Sequence, residues 1–147
     1  MFKKILVAFD IAHNEQVPYL MEAAFEVLDQ NGGEICLFYA DPYQVQGIST
    51  QQLDKQNIKH HKEEVTLGIQ SIMACVKASC SEQAFSKIKC HTQQGSAHEQ
   101  ILKQAKAFKA DAIILMSKKP GFSSYFIGSN ADKVVRHAKC SVFVIRP

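Results

Sequence analysis

No stretch of this sequence is long and apolar enough to cross a bilayer: its unbroken apolar runs, such as residues 5–9 and 112–116, fall far short of the roughly 20 residues a membrane helix needs. Met1-Phe-Lys-Lys leads straight into the first run with no signal-peptide core, so the expectation is a cytoplasmic protein with no membrane partner. Dense positive charge is missing too. The net charge of +3 is scattered along the chain apart from Lys118-Lys119, which gives nucleic acid no patch to bind. The five cysteines are an odd number, with no C-x-x-C pair and no metal-ligand spacing. Cys36, Cys90 and Cys140 fall in or beside apolar runs, as buried thiols of a reducing compartment do. A redox switch through Cys75 or Cys80 is the lesser alternative. His60 and His61, among Lys59, Lys62, Glu63 and Glu64, find no third metal ligand and read as a solvated helix face. There is no P-loop and no identifiable general base, so efficient catalysis has little to stand on.

What the chain does have is an alternation of strands and helices. At 147 residues, 46% hydrophobic and 21% charged, it is read as one domain, residues 1–147, with a sizeable core. Residues 3–10 form an unbroken apolar run ending in Asp10, the pattern of a strand covered on both faces. Residues 14–30 repeat their apolar positions three and four apart, with Pro18 in the first turn and Asn31-Gly32-Gly33 as the stop. A second buried strand at 34–40 is ended by Asp41-Pro42, and residues 43–49 read as a loop. One long helix runs from about Thr50 to Ser79. Residues 85–92 alternate as an edge strand does. Ser96 and Glu99 are spaced for a capping box opening a helix to Lys109. A strand at 112–116, a loop, a helix opening near Ser129 and a final strand at 141–146 complete the chain. This succession predicts an open, five-stranded parallel sheet of order 3-2-1-4-5 with helices on both faces.

In such sheets ligands enter at the carboxyl edge, where the first and fourth strands meet. Asp10 falls on that edge, as a partner for a ribose hydroxyl or a metal-bound phosphate, or equally as a helix cap. Tyr39 ends the second strand on the same side. Gly128-Ser129-Asn130 opens a helix whose free N–H groups and dipole suit an anion, although Ser129 can equally serve as an ordinary cap. The convergence of Asp10, the loop after Ser117 and Gly128-Ser129 favours an anion or nucleotide site.

These segments resemble the universal stress protein family over the whole chain. Residues 5–10 resemble its first strand and Gly95-Ser96 the turn into its third helix. Gly128-Ser129, Val134-Val-Arg-His-Ala138 and Val142-Phe-Val-Ile-Arg146 resemble its C-terminal signature. The resemblance implies an adenine-nucleotide alpha-hydrolase-like fold and a homodimer formed through the last strand, Val142 to Arg146. It also implies a regulatory protein of the stress response that binds ATP or AMP with Mg2+. A slow ATPase or autokinase, and a ligand-free dimeric interaction module, are the alternatives. ATP-binding members carry Gly, two residues, Gly, nine residues, then Gly and Ser or Thr. Here the two earlier glycine positions are Leu115 and Lys118, and the loop is about two residues shorter. Ser117-Lys-Lys-Pro120 with Ile127-Gly-Ser-Asn-Ala131 is similar to the F and G type bacterial members, which share the shorter loop. Carried over, Asp10 contacts ribose or the metal, Tyr39 reads adenine through its backbone, and Met116 and Ser117 lie beside base and sugar. Gly128, Ser129 and Asn130 hold phosphates, with Lys118 or Lys119 supplying charge. Ser123 and Ser124 are further phosphate contacts, autophosphorylation sites or plain loop residues.

Overall fold

The computed structural model describes residues 1–42, 55–117 and 128–146. Five strands, β1 (Lys4–Ala8), β2 (Glu34–Asp41), β3 (Ile88–Gln94), β4 (Ala112–Met116) and β5 (Ser141–Ile145), form one parallel sheet in the order β3-β2-β1-β4-β5. The expected topology is therefore the observed one. The three central strands hold it together because both their faces are buried. Ile5, Val7, Ile35, Leu37, Ala112 and Ile114 point to one side, where they meet α1 (Val17–Val27) and α2 (Lys55–Ser79). Leu6, Cys36, Phe38, Ile113 and Leu115 point to the other, against α4 (Ala97–Phe108) and α5 (Ser129–His137). The short helix α3 (Glu82–Phe85), capped by Ser81, joins α2 to β3 and was not foreseen. It absorbs Phe85, so β3 starts at Ile88 rather than 85.

Several boundaries differ from the sequence reading, each for a local reason. The first helix is two pieces. Asp10 Oδ1 accepts from Ala12 N at 2.9 Å and starts a 3-10 segment, Ile11–Gln16, before α1 begins with Pro18 in its first turn. α1 then stops at Val27, before Asn31-Gly32-Gly33, because Leu28 turns to extended backbone and bridges to Phe2 beside β1. Strand β2 continues through Asp41, which is paired with Gln94 and accepts from Gly95 N at 2.9 Å. Ser96 stands at the N-cap of α4 without a capping box; its Oγ meets His98 Nδ1 at 3.0 Å instead of the helix backbone. α4 ends on Lys109 in the left-handed region, φ 57°. The loop expected at 43–49 and the front of the long helix lie outside the described residues.

Candidate functional site

Where β1 and β4 part, a crevice of about 720 Å3 opens at the carboxyl edge of the sheet. One wall is the 3-10 segment after β1, contributing His13 and Gln16 beside Asp10. Ala97 and Ile101 of α4 line the other side with Gly128, Ser129, Asn130 and Ala131 of α5. The ends of β2 and β4 form the floor through Tyr39, Ala40, Met116 and Ser117. Asp10, Tyr39, Met116, Ser117, Gly128, Ser129 and Asn130, named from the sequence, thus meet around one cavity. Lys118, Lys119, Ser123 and Ser124 lie outside the described residues.

Each of these groups is held by its element. Ser117 follows β4, its N donating to Ile145 O at 2.9 Å and its carbonyl accepting from Gly128 N. The side chain is buried, and Ser117 Oγ has no hydrogen-bond partner among the described residues. A buried hydroxyl left that way costs about 1–3 kcal/mol, so a group that bonds it is favoured there. Beside it stands the N-terminus of α5, whose cap is Gly128 and not Ser129. Gly128 has φ −57° and ψ 151°, which any residue adopts; its contribution is the missing side chain, which bares the first N–H groups of the helix.

Asp10 is exposed and shares its carboxylate between the crevice and Ala12 N, so both roles weighed for it are compatible. Tyr39 is buried, its ring stacked on Phe9 with centroids 5.8 Å apart. Its carbonyl accepts from Thr92 Oγ1 at 2.8 Å and keeps a second lone pair. Burial first, then the nearby Asp41 and Asp10 charges, pushes its phenol from 10.0 up to about 12, so it remains a neutral phenol at physiological pH. No group of three potential metal ligands occurs among the described residues.

Two features escaped the sequence reading. Gln16 and His13 line the crevice from the 3-10 segment, which kinks at His13 (φ −128°, ψ 49°); no spacing in the sequence signals that kink. His61 is not on a solvated face: its Nε2 lies 2.6 Å from Oδ2 of Asp41, which is buried, and the pair ties α2 to the end of β2. His60 is exposed as expected, 3.0 Å from Glu64. Of the cysteines, Cys36 is buried and Cys75 is exposed, while Cys80, Cys90 and Cys140 are half-buried; none is in a disulfide. Among the described residues no helix is long and apolar enough to cross a membrane.

Comparison with known proteins agrees with this architecture. The universal stress protein family model matches residues 1–146. Universal stress protein G of Shigella flexneri is 27% identical over 155 residues, spanning 99% of this chain and 100% of that protein. Among solved structures, universal stress protein UspA from Lactobacillus plantarum superposes with a TM-score of 0.73 at 21% identity, covering 98% of this chain and 97% of that one. A universal stress protein solved in complex with cAMP superposes with a TM-score of 0.65 at 14% identity, covering 98% of this chain and 96% of that one. With a family model spanning nearly its whole length and a sheet shared with those proteins, this chain belongs to the universal stress protein family.

Proposed function

We propose that this chain is a cytoplasmic regulatory protein of the stress response that binds an adenine nucleotide, ATP or AMP, in the crevice. The observation that carries the reading is Ser117 Oγ, buried without a partner among the described residues, beside the N-terminus of α5, which no side chain caps among them. The crevice suits such a ligand at both ends. Around β2 and α4 it is lined by Ala40, Pro42, Ala97 and Ile101, an apolar slot for a base. At β4 and α5, Ser117 and the N–H groups after Gly128 offer donors for phosphate. In this reading Asp10 takes the ribose or an Mg2+ ion carried by the phosphates, and the Tyr39 backbone and Met116 flank base and sugar. Ser129 and Asn130 join the phosphate end, with charge from Lys118 or Lys119. The relative solved with cAMP lends support at the level of the ligand class.

The same reading includes a homodimer. β5 is a terminal strand of the sheet, and its Val142, Phe143, Val144 and Ile145 are only half-buried. Pairing of two such edges would cover them. A slow ATPase or autokinase would need an oriented water or acceptor hydroxyl in addition to the binding groups named here.

The test is to denature freshly purified protein and identify the released small molecules by chromatography and mass spectrometry, with sedimentation of the native protein in parallel. Stoichiometric ATP or AMP on a dimer is the expected result. A dimer that carries no nucleotide and takes up none when it is added favours the ligand-free interaction module.

A further inference from the structure

Asp41, the last residue of β2, is bonded to both layers of the fold at once. Its backbone pairs with Gln94 of β3, and its carbonyl accepts from Gly95 N at 2.9 Å in the turn that leads into α4. Its side chain shares the α1 and α2 face of the sheet with Leu37 and Tyr39. There the buried carboxylate accepts from His61 Nε2 of α2 at 2.6 Å.

Neither Asp41 nor His61 lines the crevice, but both chain neighbours of Asp41 do. Ala40 and Pro42 line the apolar slot read above as the seat of the base, together with Ala97 and Ile101 of α4. Ala97 follows Gly95 by two residues, so the bond from Gly95 N to Asp41 O joins the two sides of that slot. The spacing of the slot is therefore set at Asp41. Whether Asp41 stays in place depends on its carboxylate. A buried carboxylate deprived of a charge-assisted donor gains by moving toward water, and Asp41 cannot move without carrying Ala40 and Pro42 with it. The phosphate end of the crevice is built separately. Ser117 and Gly128 are bonded to each other and to β5, on the far side of β1 from β2.

We propose that His61 is a positioning residue of this crevice: through Asp41, helix α2 on one face of the sheet holds the base slot on the other face in its binding shape. The proposal rests on the nucleotide reading above and deepens it, giving the preorganisation of the base end to a residue that touches no ligand.

The experiment titrates ATP by calorimetry into the wild-type chain, into two variants that remove the donor, His61→Leu and His61→Ala, and into His61→Gln and Val76→Ala. Glutamine carries an amide nitrogen about as far along its side chain as Nε2 and restores the donor. Val76 is buried about 22 Å along α2 from His61, so Val76→Ala loosens the packing of the helix without touching Asp41. His61→Leu and His61→Ala are expected to bind ATP about five- to tenfold more weakly than wild type, because the ligand must then order the slot itself. His61→Gln and Val76→Ala stay within about twofold of wild type. In the ligand-free proteins the Gly95 amide should exchange its hydrogen at least about fivefold faster, relative to the amides of β1, in the two donor-free variants alone. Wild-type affinity in those variants overturns the proposal and leaves the nucleotide reading standing. An equal loss in Val76→Ala, or a loss that glutamine does not repair, marks His61 as part of the general packing of α2 and overturns it too. A wild-type chain that binds no ATP overturns the nucleotide reading, and this proposal falls with it.

Discussion

Gly68 of α2 lies so close to Ile11 that a Cβ on the glycine would stand 2.9 Å from Ile11 Cγ2. Through this contact the long helix seats the 3-10 segment that carries His13 and Gln16 into the crevice. Within a helix glycine costs up to about 1 kcal/mol relative to alanine; here it leaves room for Ile11.

A double-mutant cycle tests this seating. Gly68→Ala in the wild-type background sets the gain in helix propensity against the collision with Ile11. In an Ile11→Ala background the collision is gone, and the same substitution should be more favourable by about 1 kcal/mol in denaturant unfolding. Equal effects in the two backgrounds would mean that α2 does not press on the segment.

At the other wall, stability and binding should move in opposite directions. Gly128 caps α5 with ordinary backbone angles, so Gly128→Asp fits without strain and supplies a better cap, worth a few tenths of a kcal/mol. It also puts a carboxylate where phosphate is expected to sit. The variant should melt at or slightly above wild type while ATP affinity drops at least about tenfold. An unchanged affinity would move the anion away from α5.

Ser117→Ala should behave in a related way. Removing a buried hydroxyl that has no partner among the described residues leaves the ligand-free protein as stable as before or more so. If the hydroxyl bonds the nucleotide, calorimetry should show affinity lowered by about five- to tenfold. Loss of stability with unchanged affinity would make Ser117 part of the scaffold alone.

Much of this architecture was legible because the central strands are short apolar runs covered on both faces, and runs such as Ile113-Ile114-Leu115 have no other stable home. The alternation of elements then restricts the topology, which brings Asp10, Tyr39, Ser117 and Gly128 to one edge. Readings made from local pattern alone failed where a distant residue decides the structure. Asp41-Pro42 looks like a strand stop, yet pairing with Gln94 carries β2 through Asp41. His61 looks solvated within its own helix, and only the fold brings it to Asp41. The first helix looks like one element from residue 14, and only the kink at His13 divides it into the 3-10 segment and α1.

The Asp41–His61 contact makes its own prediction. Asp41 is 4% exposed, and its carboxylate accepts a hydrogen bond from His61 Nε2 at 2.6 Å. His61→Ala should lower unfolding stability by about 2 kcal/mol. The double variant with Asp41→Asn should lose less than the sum of the two single losses. Additive losses would show that the two side chains are not coupled.

Alkaline stability should follow two groups, one buried and one half-buried. Burial raises the Cys90 thiol from 9.0 to about 11, and burial with nearby carboxylates raises the Tyr39 phenol from 10.0 to about 12. Both keep their protons more tightly folded than unfolded, so the stability linked to them is fully present below pH 9 and is lost as pH rises through 11 and 12. Tyr39→Phe keeps the ring against Phe9 and should flatten the fall in melting temperature above pH 10. The same alkaline fall in wild type and variant would contradict this.

The most direct measurement of the central claim is a calorimetric titration of nucleotide-free protein with ATP, with and without Mg2+, repeated on Gly128→Asp. The account predicts saturable binding of one ATP per chain that the substitution weakens while the fold stands. No heat from the wild-type chain, in a protein shown by circular dichroism to be folded, would contradict it.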